Sequence, residues 1–248
     1  MLTEIAILSI IIVFASFTET LSGFGKTIIS VTFGSHFFPV EMLLAVIVPI
    51  NLVLSGYVVS KNVKHINTEL LLKKIIPFML AGQVIGMIIF NFIQGDILKK
   101  IYAVFIILLS VYQLNLLLRK KEVKKAPNSF INLMIFLGGI IHGIYASGGP
   151  MVVYSLSNYE MTKESFRATL SSIWLFFNII LVVMYIFTSK ITTNTLTYSI
   201  YLIPALIVGI YLGDYAHKKI KEESFKIFIY SVLILAGLSI IIPSFLKA

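Results

Sequence analysis

Glu19, Lys26 and His142 lie inside long apolar stretches, where an ionisable side chain is costly and marks a functional candidate. Two glycine-rich segments run beside them. The first reads Thr20-Leu21-Ser22-Gly23-Phe24-Gly25-Lys26-Thr27, the second Tyr145-Ala146-Ser147-Gly148-Gly149-Pro150. Each predicts a break in a helix. A broken helix leaves backbone N–H and C=O groups without intrahelical partners, and in hydrocarbon these persist only where protein or a water-filled cavity satisfies them. The N-terminal end of a half-helix presents free N–H groups and the positive end of the dipole, so the chemistry on offer is anion binding. Gly23, Gly25, Gly148 and Gly149 let backbone approach a ligand closely. Pro150 suits the first turn of a new helix, where its missing N–H costs nothing. Ser22, Thr27 and Ser147 offer hydroxyls.

Plainer readings stand beside these. Small-residue breaks also serve as kinks or packing contacts between membrane helices. Lys26 can offset the charge of an anion, or pair with Glu19 seven residues earlier as a structural bridge. Glu19 and His142 are candidates for proton coupling, His142 because it titrates near neutrality; a histidine hydrogen-bonded between helices is the alternative. Asn51 and Asn178 are polar residues inside apolar spans that either line a site or bond between helices. Arg167, beside Lys163 and Glu164, is an interfacial anchor or an anion contact.

The elements that must position these residues are helices that span a membrane. The chain has 248 residues, of which 58% are hydrophobic and 12% charged, with mean hydropathy +0.97; a soluble domain carries about 25% charge. Apolar runs of about 20 residues recur, each long enough to cross a bilayer, and barrel strands would instead alternate over about 10 residues. The sequence also repeats. Pro77, Gly82, Gly86, Asp96 and Lys99 recur 127 positions later as Pro204, Gly209, Gly213, Glu223 and Lys226, and Asn51 recurs as Asn178. Further upstream the offset becomes 125, with Ser22-Gly23 meeting Ser147-Gly148. The expected fold is all-α and polytopic, built from two inverted repeats, each a broken re-entrant helical hairpin plus three transmembrane helices. The first repeat spans 1–118, a basic cytoplasmic linker 119–127, and the second repeat 128–248, together one integral membrane domain.

In the first half an apolar segment near 4–22 precedes the break, a shorter one near 26–38 follows, and spans near 40–60, 70–92 and 97–118 come next. The second half has 129–146, a short piece near 151–158, and spans near 166–188, 195–215 and 224–245. The start Met1-Leu2-Thr3-Glu4 lacks the early positive charge of a signal peptide, so the first segment is expected to stay in place. Inverted halves put fifteen of the 20 Lys and Arg on the cytoplasmic side and four outside, Lys26 lying within the membrane. Parallel halves would split them eleven against eight. The positive-inside rule favours inversion. The net charge of +9 is thereby explained by the lipid bilayer rather than by nucleic acid. With no cysteine, thiolate chemistry and thiolate metal sites are excluded. No cofactor is implied.

Three stretches, ETLSGFGKTIISVTF (Glu19 to Phe33), GGIIHGIYASGGPMVVYSL (Gly138 to Leu156) and SFRATLSSIWLFFN (Ser165 to Asn178), resemble the sulfite exporter TauE/SafE family of membrane permeases. The resemblance covers essentially the full chain. It implies a duplicated helical permease that moves small anions, such as sulfite or organosulfonates, across the bacterial cytoplasmic membrane. Where the first repeat of the family often has a further small residue, this chain has Lys26. The expected function is a secondary transporter that binds its anion at the two broken-helix tips near the bilayer midplane and alternates access by rocking. A homodimer is compatible with the sequence. The Walker pattern GxxxxGK[ST] is missing, which argues against ATP drive within this chain. The rivals are an anion channel with a similar site, and an intramembrane lipid-phosphate hydrolase. The hydrolase would need a nucleophile or metal constellation, and the four histidines, His36, His65, His142 and His217, are scattered.

Overall fold

The computed structural model describes residues 2–93, 95–119, 126–217 and 222–246, and every regular element among them is helical. The order is α1 (Leu2–Ser22), α2 (Lys26–Gly34), α3 (Val40–Asn62), α4 (Thr68–Leu70), α5 (Ile76–Phe92), α6 (Asp96–Arg119), α7 (Asn128–Tyr145), α8 (Gly149–Leu156), α9 (Lys163–Phe187), α10 (Thr193–Tyr201), α11 (Ile203–His217) and α12 (Glu222–Leu246). A 3₁₀ turn at Val63–His65 and a π turn at Leu71–Ile75 fill the connection from α3 to α5. Most of the expected linker, residues 120–125, lies outside the described residues.

Among the described residues seven helical stretches are long and apolar enough to cross a bilayer: Thr3–Leu21, Val40–His65, Thr68–Phe92, Asp96–Leu118, Asn128–Tyr145, Glu164–Phe187 and Thr193–Ala216. A shorter apolar helix covers Ile227–Ile242. The chain is therefore a multi-pass membrane protein. Large apolar side chains such as Ile10, Phe92, Leu108, Phe187 and Tyr211 are exposed, as lipid-facing positions should be, because lipid tails are as apolar as leucine.

Two long spans are interrupted, and proline accounts for both. Proline lacks an N–H and its ring clashes with the carbonyl four residues earlier. Pro77 is preceded by the π turn at Leu71–Ile75, and Pro204 by the step at Leu202 between α10 and α11. Pro49, inside α3, is accommodated without a break.

The helices gather into two compact units. One comprises Met1–Leu43, Ile93–Glu122 and Tyr201–Ala248; the other comprises Leu44–Phe92 and Val123–Ile200. Neither coincides with a half of the sequence, since each draws helices from both. In the first unit α1 packs on α11 and α6 on α12. In the second, α5 packs on α7.

These pairings are close because glycines line them. A Cβ on Gly82 would stand 2.0 Å from the carbonyl oxygen of Phe136, and one on Gly86 would stand 2.2 Å from that of Ile140. From the other side, Gly139 and Gly143 meet the carbonyls of Met79 and Gln83 at 2.2 and 2.4 Å. No side chain fits there, so the backbones of α5 and α7 touch directly, the usual way membrane helices associate without a hydrophobic drive. In the first unit Gly209 meets the Val13 carbonyl at 2.6 Å and Gly213 meets Thr20 Cβ at 2.6 Å.

Candidate functional site

The two breaks belong to different units, and each is built from its own helices. In the first, α1 ends when the Gly23 N–H donates to the Glu19 carbonyl at 2.7 Å, with Gly23 at φ 83°. Gly25 follows at φ 110° as the N-cap of α2. Both angles lie where an L side chain is strained, so glycine is required. The chain then enters α2, whose first helical bond is from the Ile29 N–H to the Gly25 carbonyl.

Gly25 has no side chain to cap α2, and the cap comes from α1 instead. The Glu19 carboxylate accepts a hydrogen bond from the Lys26 N–H at 3.0 Å. The Glu19 and Lys26 charges also act on each other. Lys26 is completely buried, and Thr27 beside it is buried too. The Tyr102 hydroxyl of α6 donates to the Ile28 carbonyl at 3.0 Å, fixing α2 against α6. The side chain of Ser22 lies outside the described residues.

In the second break the Ala146 N–H donates to the His142 carbonyl at 2.8 Å, and Ala146 adopts φ 50°, ψ 32°. By this geometry Gly23 corresponds to Ala146 and Glu19 to His142, each pair 123 residues apart. That register differs by two from the one suggested by pairing Ser22-Gly23 with Ser147-Gly148. Letter identity favours Ser-Gly on Ser-Gly, but the left-handed turn that ends each helix falls on glycine in one break and on alanine in the other.

Gly148 is the N-cap of α8, and Pro150 lies in its first turn, as the sequence suggests. α8 runs back alongside α7. A Cβ on Gly148 would stand 2.1 Å from the Gly138 carbonyl, and the Ser155 hydroxyl reaches the Ile131 carbonyl at 3.4 Å. The Ser147 hydroxyl donates to the Tyr145 carbonyl at 2.8 Å, so its proton is engaged by the chain itself. Gly149 and Pro150 are buried.

His142 is 1% exposed, and neither ring nitrogen has a hydrogen-bond partner among the described residues. Its ring stacks on Trp174 at 5.6 Å with the planes 20° apart, and meets the edge of Phe177 at 6.3 Å. The interhelical hydrogen bond considered for it from sequence is not made among the described residues. Gln83 of α5 lies across from Gly139 and Gly143. Its amide donates to the Phe177 carbonyl at 3.0 Å, and its Oε1 has no partner.

Asn51 on α3 and Asn178 on α9 are both buried in the second unit, and the Asn178 Oδ1 has no partner among the described residues. Arg167 is half-buried near the start of α9, whose N-cap Thr162 accepts from the Ser165 N–H at 3.1 Å. The structure thus brings Glu19 to Lys26 in one unit and His142 to Gly148 in the other. Sequence reasoning passed over Gln83 and Trp174. A glutamine in the apolar run of α5 and the single tryptophan of the chain were the available signals.

Among the described residues no group of three or more His, Asp or Glu could hold a metal ion. The family model described as sulfite exporter TauE/SafE matches residues 8–240. Neither a curated protein nor a solved structure matches the chain.

Proposed function

The chain belongs to the sulfite exporter TauE/SafE family, and from that premise we propose that it is a secondary transporter for sulfite or an organosulfonate. Membership links it to small-anion transport and sets it among membrane transport proteins rather than enzymes. The finer reading places it in the bacterial cytoplasmic membrane, with two duplicated, inverted halves and alternating access.

The observation that carries the reading is the pair of broken helices in a multi-pass membrane chain. Each half-helix N-terminus is worth about half a positive charge, and in a low-dielectric setting this favours an anion far more than it does in water. In the first unit the proposed contact is the tip at Gly23–Thr27, with Lys26 offsetting charge; in the second it is the tip at Ser147–Met151, with Asn51, Asn178 and Arg167 as further polar contacts. Glu19 and His142, which hold the same place in the two breaks, are the proposed proton-coupling groups.

Thermal stability of the purified protein tests this across sulfite, sulfate, thiosulfate, taurine, sulfoacetate and isethionate. A ligand at a hundred times its Kd stabilises the folded state by about 2.7 kcal/mol. One sulfur oxyanion should raise Tm, and the same anion should show saturable counter-flow in proteoliposomes. Conductance without saturation would identify a channel instead, and a flat panel would remove the substrate class.

A further inference from the structure

The two breaks end their first helix alike, on a left-handed residue, and differ in what fills one place. Glu19 and His142 each accept the N–H that closes their helix. The Glu19 carboxylate then turns to the first N–H of α2, so α2 begins on an anion that the chain itself supplies. In the second break, no side chain among the described residues accepts from the first turn of α8. His142 stands beside that turn, because its Cβ is 3.1 Å from where a Cβ on Gly148 would be. Both of its ring nitrogens lack partners although it is buried, and Trp174 and Phe177 fix the plane of the ring. A buried polar atom left unpaired is costly, and such an atom in a native structure calls for a ligand, a water or a catalytic reason. The amide N–H groups of that first turn, its helix dipole and the His142 side chain that begins beside it form a set of donors.

We propose that the α8 tip with His142 is the anion subsite, taking a small oxyanion, and that Glu19 closes the α2 tip as its resident anion. The inference rests on the transport reading and says which of the two tips takes the substrate. The helix dipole supplies the attraction and the His142 ring a directed hydrogen bond. At the α2 tip, an incoming anion would first have to displace a tethered carboxylate.

Calorimetric titration of sulfite into the purified protein tests it, with a thermal melt of each variant recorded alongside. Wild type should bind one sulfite. His142→Leu should weaken binding about tenfold or more, the worth of one hydrogen bond to a charged group. His142→Gln keeps an N–H donor and should recover most of that loss, whereas a purely structural histidine would change Tm and leave Kd alone. Tyr102→Phe, which removes the bond holding α2 against α6, should keep the wild-type affinity. Loss of binding in Tyr102→Phe with retention in His142→Leu would assign the site to α2 and overturn the proposal. If His142→Leu does not fold, the ¹⁵N resonances of the His142 ring in wild type decide: they should shift on adding sulfite, and their constancy at saturation rejects the subsite. A wild type that binds none of the panel anions removes the transport reading and this inference together, whereas a wild type that binds with His142→Leu unaffected removes only this inference.

Discussion

The Glu19 carboxylate caps α2 across the break, accepting the Lys26 N–H at 3.0 Å from a position seven residues earlier. One side chain thus does two jobs: it satisfies an orphan donor of a helix that has glycine at its N-cap, and it places a negative charge near a fully buried lysine. Glu19→Ala should therefore cost about 3 kcal/mol or more, because it leaves a buried charge without its counter-charge. Glu19→Gln keeps an acceptor for the amide and should cost about half as much, as a hydrogen bond that is no longer charge-assisted. Melts in detergent check both, and equal losses for the two variants would mean the charge is irrelevant.

The left-handed residues predict opposite signs at the two breaks. Gly25→Ala meets nothing nearer than Thr18 Cγ2 at 3.8 Å, so its effect is backbone strain alone and should be a loss of about 1–2 kcal/mol. Ala146 already bears that strain at φ 50°. Ala146→Gly should raise stability by up to about 1 kcal/mol, the strain relieved less the entropy of a freer unfolded chain.

Glycines on the α5–α7 contact differ from those elsewhere. At Gly139 a Cβ would lie 2.2 Å from the Met79 carbonyl oxygen, and Gly139→Ala must push two backbones apart, at a cost of about 3 kcal/mol or more. Gly56, inside α3, has nothing within 4 Å of an added Cβ. Gly56→Ala should stabilise by up to about 1 kcal/mol through helix propensity. Finding both substitutions neutral would argue against direct backbone contact between α5 and α7.

Proton coupling through Glu19 has a flux signature. An imposed pH gradient should drive sulfite movement in proteoliposomes of the wild type, and a protonophore should abolish the drive. In Glu19→Gln, sulfite exchange at equal pH should persist while the response to the gradient disappears. A gradient response that survives the substitution would leave His142 as the coupling group to test.

Hydropathy and punctuation are local properties, and what depends on them was legible in the chain. The apolar runs gave the spans to within a few residues, as at α6, expected near 97–118 and found at Asp96–Arg119. Gly23–Gly25 and Ser147–Pro150 marked the breaks because glycine tolerates backbone angles that other residues do not. The cap from Glu19, the stacking of His142 on Trp174 and the engagement of the Ser147 hydroxyl by Tyr145 were not legible. Nor was the register that equates Gly23 with Ala146, since backbone conformation rather than residue type defines it. The pairing of α5 with α7, one from each half of the sequence, also belongs to the tertiary structure alone. Glycines at 82, 86, 139 and 143 advertise that some backbones will meet, but which ones is decided by the fit of surfaces distant in sequence, and no local pattern encodes that fit.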